Sequence, residues 1–432
     1  MKRFALIVSF CTLSALAFGQ TTNVPAFLTL ADAEKIALQY HPQIKQADYL
    51  LQAAQEVVKE TRSGFFPTVN LYADAVGVTS EGARITAGGL NNPSVYSRGA
   101  AGGQINQLIT DFGRTANLTA SSKYQARAEE QNANTTREEV LLQADGSYFG
   151  ALEAQAVLRV ANQTFVTRKT LLDQITALAT NKIKSELDVS FAKVQLQQAR
   201  LLVEQAQNDA DAAMATLSTA LGYSEFHEFK LADQAPQTNN YSNDIYGMVQ
   251  TALSRRPELL SLRADREAAT HFARSQRDAR LPTVEAVGVA GAAPFRNDQY
   301  LRSDYFAGGV QLSVPLFTGG LYVSRQREAE LKAQADNELL RSVENNVIRD
   351  VRIAWLDLND AVEQLHTTEE LAANAGEAFT LADARYTSGL SSIVELSDSQ
   401  LNLTQAQIAE ANARYNVLIQ QANLNYQMGT IQ

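Results

Sequence analysis

Cysteine is almost absent. The 432-residue chain carries one, Cys11. It sits in an apolar stretch, Ala5 to Phe18, which follows the basic pair Lys2-Arg3 and ends at Ala17-Phe18-Gly19. That order reads as a cleaved secretory leader, residues 1–19, with cleavage after Ala17 as the alternative. Phe10 stands where a lipoprotein needs a small residue, which argues against a lipid on Cys11. The mature chain then has no disulfide and no thiolate metal site. Long apolar runs are missing as well. After the leader no run of about 18 apolar residues remains, so no transmembrane helix is expected, and a membrane crossing would have to be a closed β-barrel. Basic residues are outnumbered: without Lys2 and Arg3, 35 of them face 47 acidic ones, a formal charge of −12. A nucleic-acid partner is excluded on that ground, because a phosphate backbone wants a basic surface.

Catalytic and cofactor motifs are missing too. His41, His227, His271 and His366 show no ligand spacing, and His227-Glu228 lacks the second histidine of a zinc-protease helix. Four methionines, the initiator included, do not make a soft-metal relay. The glycine pairs at 88, 102, 308 and 319 fall in strand and turn texture, not in a phosphate loop. No enzyme, no metal and no cofactor is expected.

Proline is scarce, and its gaps are informative. None of the nine lies between Pro93 and Pro236, and none follows Pro315. Proline breaks a helix interior by removing a donor and clashing with the preceding turn. The two proline-free stretches are rich in Ala, Leu, Gln, Glu and Arg, which favour helix. They predict long helical hairpins over 114–221 and 321–428. A helix from Arg114 to Thr180 would run about 100 Å and needs lateral partners. The spacing of Leu187, Phe191, Val194 and Leu201 supplies a seam, which dilutes into Ala206, Ala210 and Ala213. An alanine stripe suits close packing of many helices around a wide ring; it equally suits a face that looks onto water.

What is present is a duplication. Ala37, Leu38, Pro42, Ala53, Ala54, Arg62, Pro67, Thr68 and Val69 recur 215 positions later, from Ala252 and Leu253 to Thr283 and Val284. Within the hairpins the shift is 207, so that Asn181–Leu187 corresponds to Ser388–Val394 and Gly222 to Gly429. The first copy therefore carries eight extra residues between Pro67 and Gly113, expected in its outer loop. Internal repeats of this kind mark repeated structural units. Between each Pro-Thr-Val and each hairpin, apolar and polar residues alternate: Val69, Leu71, Ala73 and Ala75 against Asn70, Tyr72 and Asp74, and Val310, Leu312 and Val314 against Gln311 and Ser313. This pattern predicts two strands per copy, within 67–112 and 282–315. Gly88-Gly89, Asn91-Asn92-Pro93, Pro294 and Arg296-Asn297-Asp298 read as turns between them. Four strands with an apolar outer face are too few for a barrel, which needs about eight, so a membrane reading requires an oligomer.

These motifs together resemble the TolC-type outer-membrane efflux duct family. They are A-L-x-x-x-P at Ala37 and Ala252, A-A-x7-R-x4-P-T-V in each copy, the strand-to-helix turns Leu108–Arg114 and Pro315–Gly320, and the arm from Arg385 to Gly429. The resemblance covers about 400 residues. It implies an α+β membrane protein: a homotrimer whose 12-stranded outer-membrane β-barrel, four strands per chain, continues into a long α-helical coiled-coil barrel across the periplasm. Residues 20–222 and 243–432 would be the two repeats, each a helix, two strands and a hairpin, with 223–242 as an equatorial linker. The implied partners are outer-membrane lipid, a periplasmic adaptor and an inner-membrane transporter. The implied function is a passive exit duct for small molecules or proteins. The rival reading is a periplasmic coiled-coil scaffold or adaptor with no pore.

The resemblance also assigns residues. Glu395 and Asp398, three apart on one helix face, match acidic positions that face the lumen in the family, so that three copies would make two carboxylate rings favouring cations. Asp188 is their partial echo in the first copy. Lys182 and Lys184 beside it stand where they can pair with the acidic tip of a neighbouring hairpin and hold the end shut. Ser391 occupies a position that is basic in some members, so a closure built on that base does not transfer. Arg385, Tyr386, Gly389 and Leu390 are the adaptor-docking candidates. Tyr72 and Tyr96 are candidates for an aromatic belt, and Trp355 reads as a packing residue.

Overall fold

The computed structural model describes residues 27–79, 97–233, 244–296 and 303–431. The leader, the turn residues 88–93 and 297–298, and Tyr96 lie outside the described residues.

The duplication is visible as equal element lengths. Helices α1 (Leu30–Tyr40) and α5 (Ile245–Arg255) have 11 residues each, and α2 (Pro42–Ser63) and α6 (Pro257–Asp278) have 22. Helices α3 (Arg114–Thr180) and α7 (Leu321–Thr387) have 67, and α4 (Glu186–Ala220) and α8 (Ile393–Gln427) have 35. Where the sequence predicts one helix before each strand pair, the structure has two. The break falls at His41 and Arg256, both extended, because proline pushes the residue before it out of the helical region and then starts the next helix at its first position.

Each break is locked by a glycine. Gly222 and Gly429 end the hairpins with φ of 85° and 65°, the left-handed conformation of a helix C-cap. A β-carbon on Gly222 would lie 2.8 Å from His41 Cα, and one on Gly429 would lie 2.9 Å from Arg256 Cα. The end of each hairpin thus presses, backbone on backbone, against the kink of its own copy.

Strands β1 (Thr68–Val76), β2 (Arg98–Thr110), β3 (Thr283–Arg296) and β4 (Asp304–Ser313) form one antiparallel sheet in the order β1-β2-β3-β4. The extra residues of the first copy fall in the outer connection: 21 residues join β1 to β2, against seven between β3 and β4. The second copy recovers some of this in its inner turn, with seven residues, 314–320, against three, 111–113. Pro294, expected in the outer turn, lies inside β3. The ladder to β2 shifts register between Gly99 and Ala101, and pairing with β4 ends at Ala292, so the missing N–H of Pro294 breaks no regular ladder bond.

The helices stand side by side. Next to the sheet the neighbours run α2-α3-α6-α7; farther away they run α4-α3-α8-α7. Ties across the wall include Arg137 to Asp48 at 2.6 Å, Ser261 donating to Asn132 at 2.6 Å, and Arg263 to Glu344 at 3.1 Å. The cores are small and separate. One joins Ala33 and Ala37 to Val140, Tyr148, Leu152 and Leu217; its counterpart joins Met248 and Ala252 to Val347, Val351 and Val417, with Trp355 packed against it. Between α1 and α3, Leu28 exchanges backbone hydrogen bonds with Lys230 and Ala232, and Tyr148 Oη donates to Leu28 O and Ala232 O at 3.0 and 2.7 Å.

Asp145, buried beside this strap, is hydrogen-bonded to Glu34 of α1. Burial and the neighbouring carboxylate push it up to about 8, and burial raises Glu34 as well, so the pair shares a proton. The folded state therefore binds more protons than the unfolded one between about pH 4 and 8, and stability falls as pH rises through that window. In melts from pH 5 to pH 9, Asp145→Asn, which keeps a hydrogen-bonding group without a charge, should lose less thermal stability than the parent.

Candidate functional site

The sheet has two chemically distinct faces. Cross-strand partners share a face, so the register reads them directly. One face carries Val69, Leu71, Ile105, Ala290, Phe306, Val310 and Leu312. It is bare: Leu71 is 86% exposed and Phe306 83%. Its polar residues lie at its two ends: Asp304, opposite Ala292, at the outer end of β4, and Thr110, opposite Val284, with Gln107 near the helix end of β2, where the Gln107 amide donates to Phe65 O at 3.0 Å and Leu108 O at 2.7 Å. The other face carries Asn70, Tyr72, Asp74, Gln104, Glu285 and Gln311, and Arg98 pairs there with Asp74 at 3.1 Å. Tyr72 shares this polar face, so it does not point where a lipid-facing belt needs it.

The apolar belt lies elsewhere. Phe65 and Phe66 before β1, Phe112 after β2, Leu281 before β3, and Leu316 and Phe317 after β4 are all exposed, Phe317 by 90%. They mark every strand–helix junction at one level. The signal was present in Asp111-Phe112-Gly113 and Leu316-Phe317, which read as strand-to-helix turns, and in Phe65-Phe66, which lies inside the repeated A-A-x7-R-x4-P-T-V motif. Phe112 carries it at a cost. Its φ is 54°, while the corresponding position of the second copy, Gly319 at φ 59°, is a glycine. Asp111 then caps α3: Thr115 donates from N and Oγ1 to its Oδ2 at 2.7 and 2.6 Å.

At the far end are the hairpin tips. Both use the same C-cap: Ile183 N donates to Leu178 O, and Leu390 N to Arg385 O. The left-handed position is Gly389 (φ 76°) in one and Lys182 (φ 59°) in the other. Ser185 and Asp188 form a capping box on α4, with Asp188 Oδ2 accepting from Ser185 N at 3.1 Å, so Asp188 is committed to its own helix start. On α8, Ser392 Oγ accepts from Glu395 N at 3.3 Å, and the Glu395 carboxylate meets Arg385 Nε at 3.2 Å. A gate candidate and a docking candidate thus form one ion pair. Asp398 is exposed on the same side as Glu395.

Tyr386 is 4% exposed, packed with Leu171, Ile175, Ile393 and Leu396. It joins the two hairpins from within and offers no surface for docking, whereas Arg385, Gly389 and Leu390 are exposed. Lys184 Nζ lies 3.9 Å from the Tyr386 ring centroid, a cation–π contact between hairpins. Burial, and then the Asp188 charge, push the Tyr386 hydroxyl up. The side chain of Lys182 is exposed. Among the described residues no three His, Cys, Asp or Glu side chains converge on a point that could hold a metal ion, and no helix is long and apolar enough to cross a membrane.

Comparison with known proteins gives a consistent result. The family model for outer membrane efflux proteins matches residues 35–223 and 248–430. The chain is 25% identical over 433 residues to the outer membrane protein TolC of Escherichia coli strain K12, spanning 95% of this chain and 85% of that protein. It is 24% identical over 393 residues to the solvent efflux pump outer membrane protein SrpC of Pseudomonas putida, spanning 89% and 80% respectively. Among solved structures, the outer membrane protein VceC from Vibrio cholerae matches with a TM-score of 0.76 at 18% identity, over 93% of this chain and 96% of that one, a likeness of fold.

Proposed function

The chain belongs to the outer membrane efflux protein family, and we propose that three copies of it close into one passive duct that an adaptor joins to an inner-membrane pump. It is an outer-membrane exit duct for efflux, reaching from the membrane into the periplasm.

One observation supports the trimer above others: every layer of the chain has its free edges on the same two flanks. In the sheet they are β1 and β4, beside it α2 and α7, and farther down α4 and α7. One flank belongs to the first copy of the repeat and the other to the second. A head-to-tail contact of that kind generates a ring when its rotation closes. Three copies give twelve strands and leave no sheet edge open. The apolar face then meets lipid and the polar face lines water.

The duct supplies no energy and no chemistry; the pump does. The exposed tip residues Arg385, Gly389 and Leu390 are its adaptor-docking surface. Glu395 and Asp398 form two carboxylate rings at the periplasmic end. Lys184 on Tyr386 holds the two hairpins of a chain together, with Lys182 exposed beside it toward the neighbouring copy. An unheated gel should show the purified chain as a trimer, and planar bilayers should show it as a cation-preferring channel. Glu395→Gln/Asp398→Asn should lower cation preference severalfold while leaving the trimer intact. Unchanged selectivity would remove the rings from the account, and a soluble monomer without conductance would remove the duct.

A further inference from the structure

Two tyrosines have no part in the seams, tips or lipid face. The register places Tyr72, Gly102, Gly291 and Tyr305 in one row across all four strands, on the polar face. A β-carbon at Gly102 would lie 2.5 Å from Tyr305 Oη, and one at Gly291 would overlap the hydroxyl end of the same ring. The Tyr305 side chain therefore leans from β4 over β3 toward β2, and two glycines clear its bed. Both rings stay bare: Tyr72 is 58% exposed and Tyr305 48%. Alternation explains which face they take. It does not explain why a wet wall carries half-exposed aromatic rings at one level, with Asn70 and Gln104 in the row on one side and Asp74 in the row on the other.

We propose that this row is a transit-binding site of the duct for aromatic and organic-cation cargo, an inference that rests on the duct reading above. Tyr72 stands on β1 beside Gly102, and Tyr305 reaches Gly102 from the other side, so the two rings gather in one patch within each chain. Three copies then carry three such patches at one height. Aromatic faces attract cations and stack on planar molecules. Asp74 and Glu285 on the same face favour positive charge. Contacts of this kind are weak and brief, as a conducting pore requires of any site that cargo must leave again. The alternative is purely structural: Tyr305 would only shield two glycines, as aromatics do in other sheets.

Single-channel recording of the full trimer separates the two. The probe is tetraphenylphosphonium, added on the side of the barrel loops. The parent channel should show brief interruptions whose dwell time shortens about three- to tenfold in Tyr72→Ala and in Tyr305→Ala, as expected for loss of cation–π contacts. Tyr305→Phe keeps the ring and should keep the interruptions. Tyr72 does not lean on the glycines, so Tyr72→Ala carries the test even if Tyr305→Ala prevents assembly. Equal dwell times in the parent and Tyr72→Ala, at equal conductance, would overturn the site. A parent trimer that passes no current would overturn the duct reading beneath it.

Discussion

Gly222→Ala should destabilise the fold by about 2–4 kcal/mol, among the larger effects open to a single added methyl group. Two costs combine. The residue sits at φ 85°, where a side chain is strained. The new β-carbon would also meet His41 Cα at 2.8 Å and His41 N at 2.9 Å, which are backbone atoms that cannot swing away. Gly429→Ala faces the same joint in the second copy, at 2.9 Å from Arg256 Cα, and should behave alike. Gly376→Ala is the control. It lies inside α7, where an added carbon meets nothing closer than Leu403 Cδ1 at 3.9 Å. It should gain about 0.5–1 kcal/mol from helix propensity alone. Helical circular dichroism of the detergent-solubilised protein on heating reads all three, and opposite signs are the expected result.

Leu71→Arg should be nearly as damaging, at about 2–4 kcal/mol, if its face meets the bilayer core. Its neighbour Tyr72→Arg should be close to neutral, because it points to the watery side. Adjacent residues of one strand thus give opposite outcomes for the same substitution. Assembly yield from outer membranes, and the temperature at which the unheated trimer band disappears, measure this. A soluble sheet left as it stands in the single chain would not produce the contrast, since Leu71 is 86% exposed and is not covered by any of the described residues.

Much of this architecture was legible beforehand. Long proline-free stretches and the repeat shift located α3 and α7 to the residue, because helix propensity and chain breaks act locally. The strands were legible from period-2 alternation. The kink at Pro42 and Pro257 was marked as a shared point but not as a break, since the repeated A-L-x-x-x-P motif looks helical on both sides. Pro294 misled for a different reason: a bulge can hold proline inside a strand, and bulges depend on the partner strand. The exposed aromatics at the strand–helix junctions were hidden, because Phe112 and Phe317 sit in turn motifs and give no periodic signal. At the tips, Glu395 and Arg385 were separately visible. Their ion pair, like the burial of Tyr386 and its contact with Lys184, needed the two hairpins side by side.

The central claim is that the apolar face of the four-stranded sheet lies against lipid while the polar face lines water. The mature chain is expected to lack cysteine, so a single introduced thiol reports cleanly. Leu71→Cys and Tyr72→Cys, treated in intact outer-membrane vesicles with a water-soluble maleimide, test the claim most directly. The prediction is rapid labelling at position 72 and protection at position 71, lifted only by denaturation. Rapid labelling at position 71 in the native membrane would contradict it.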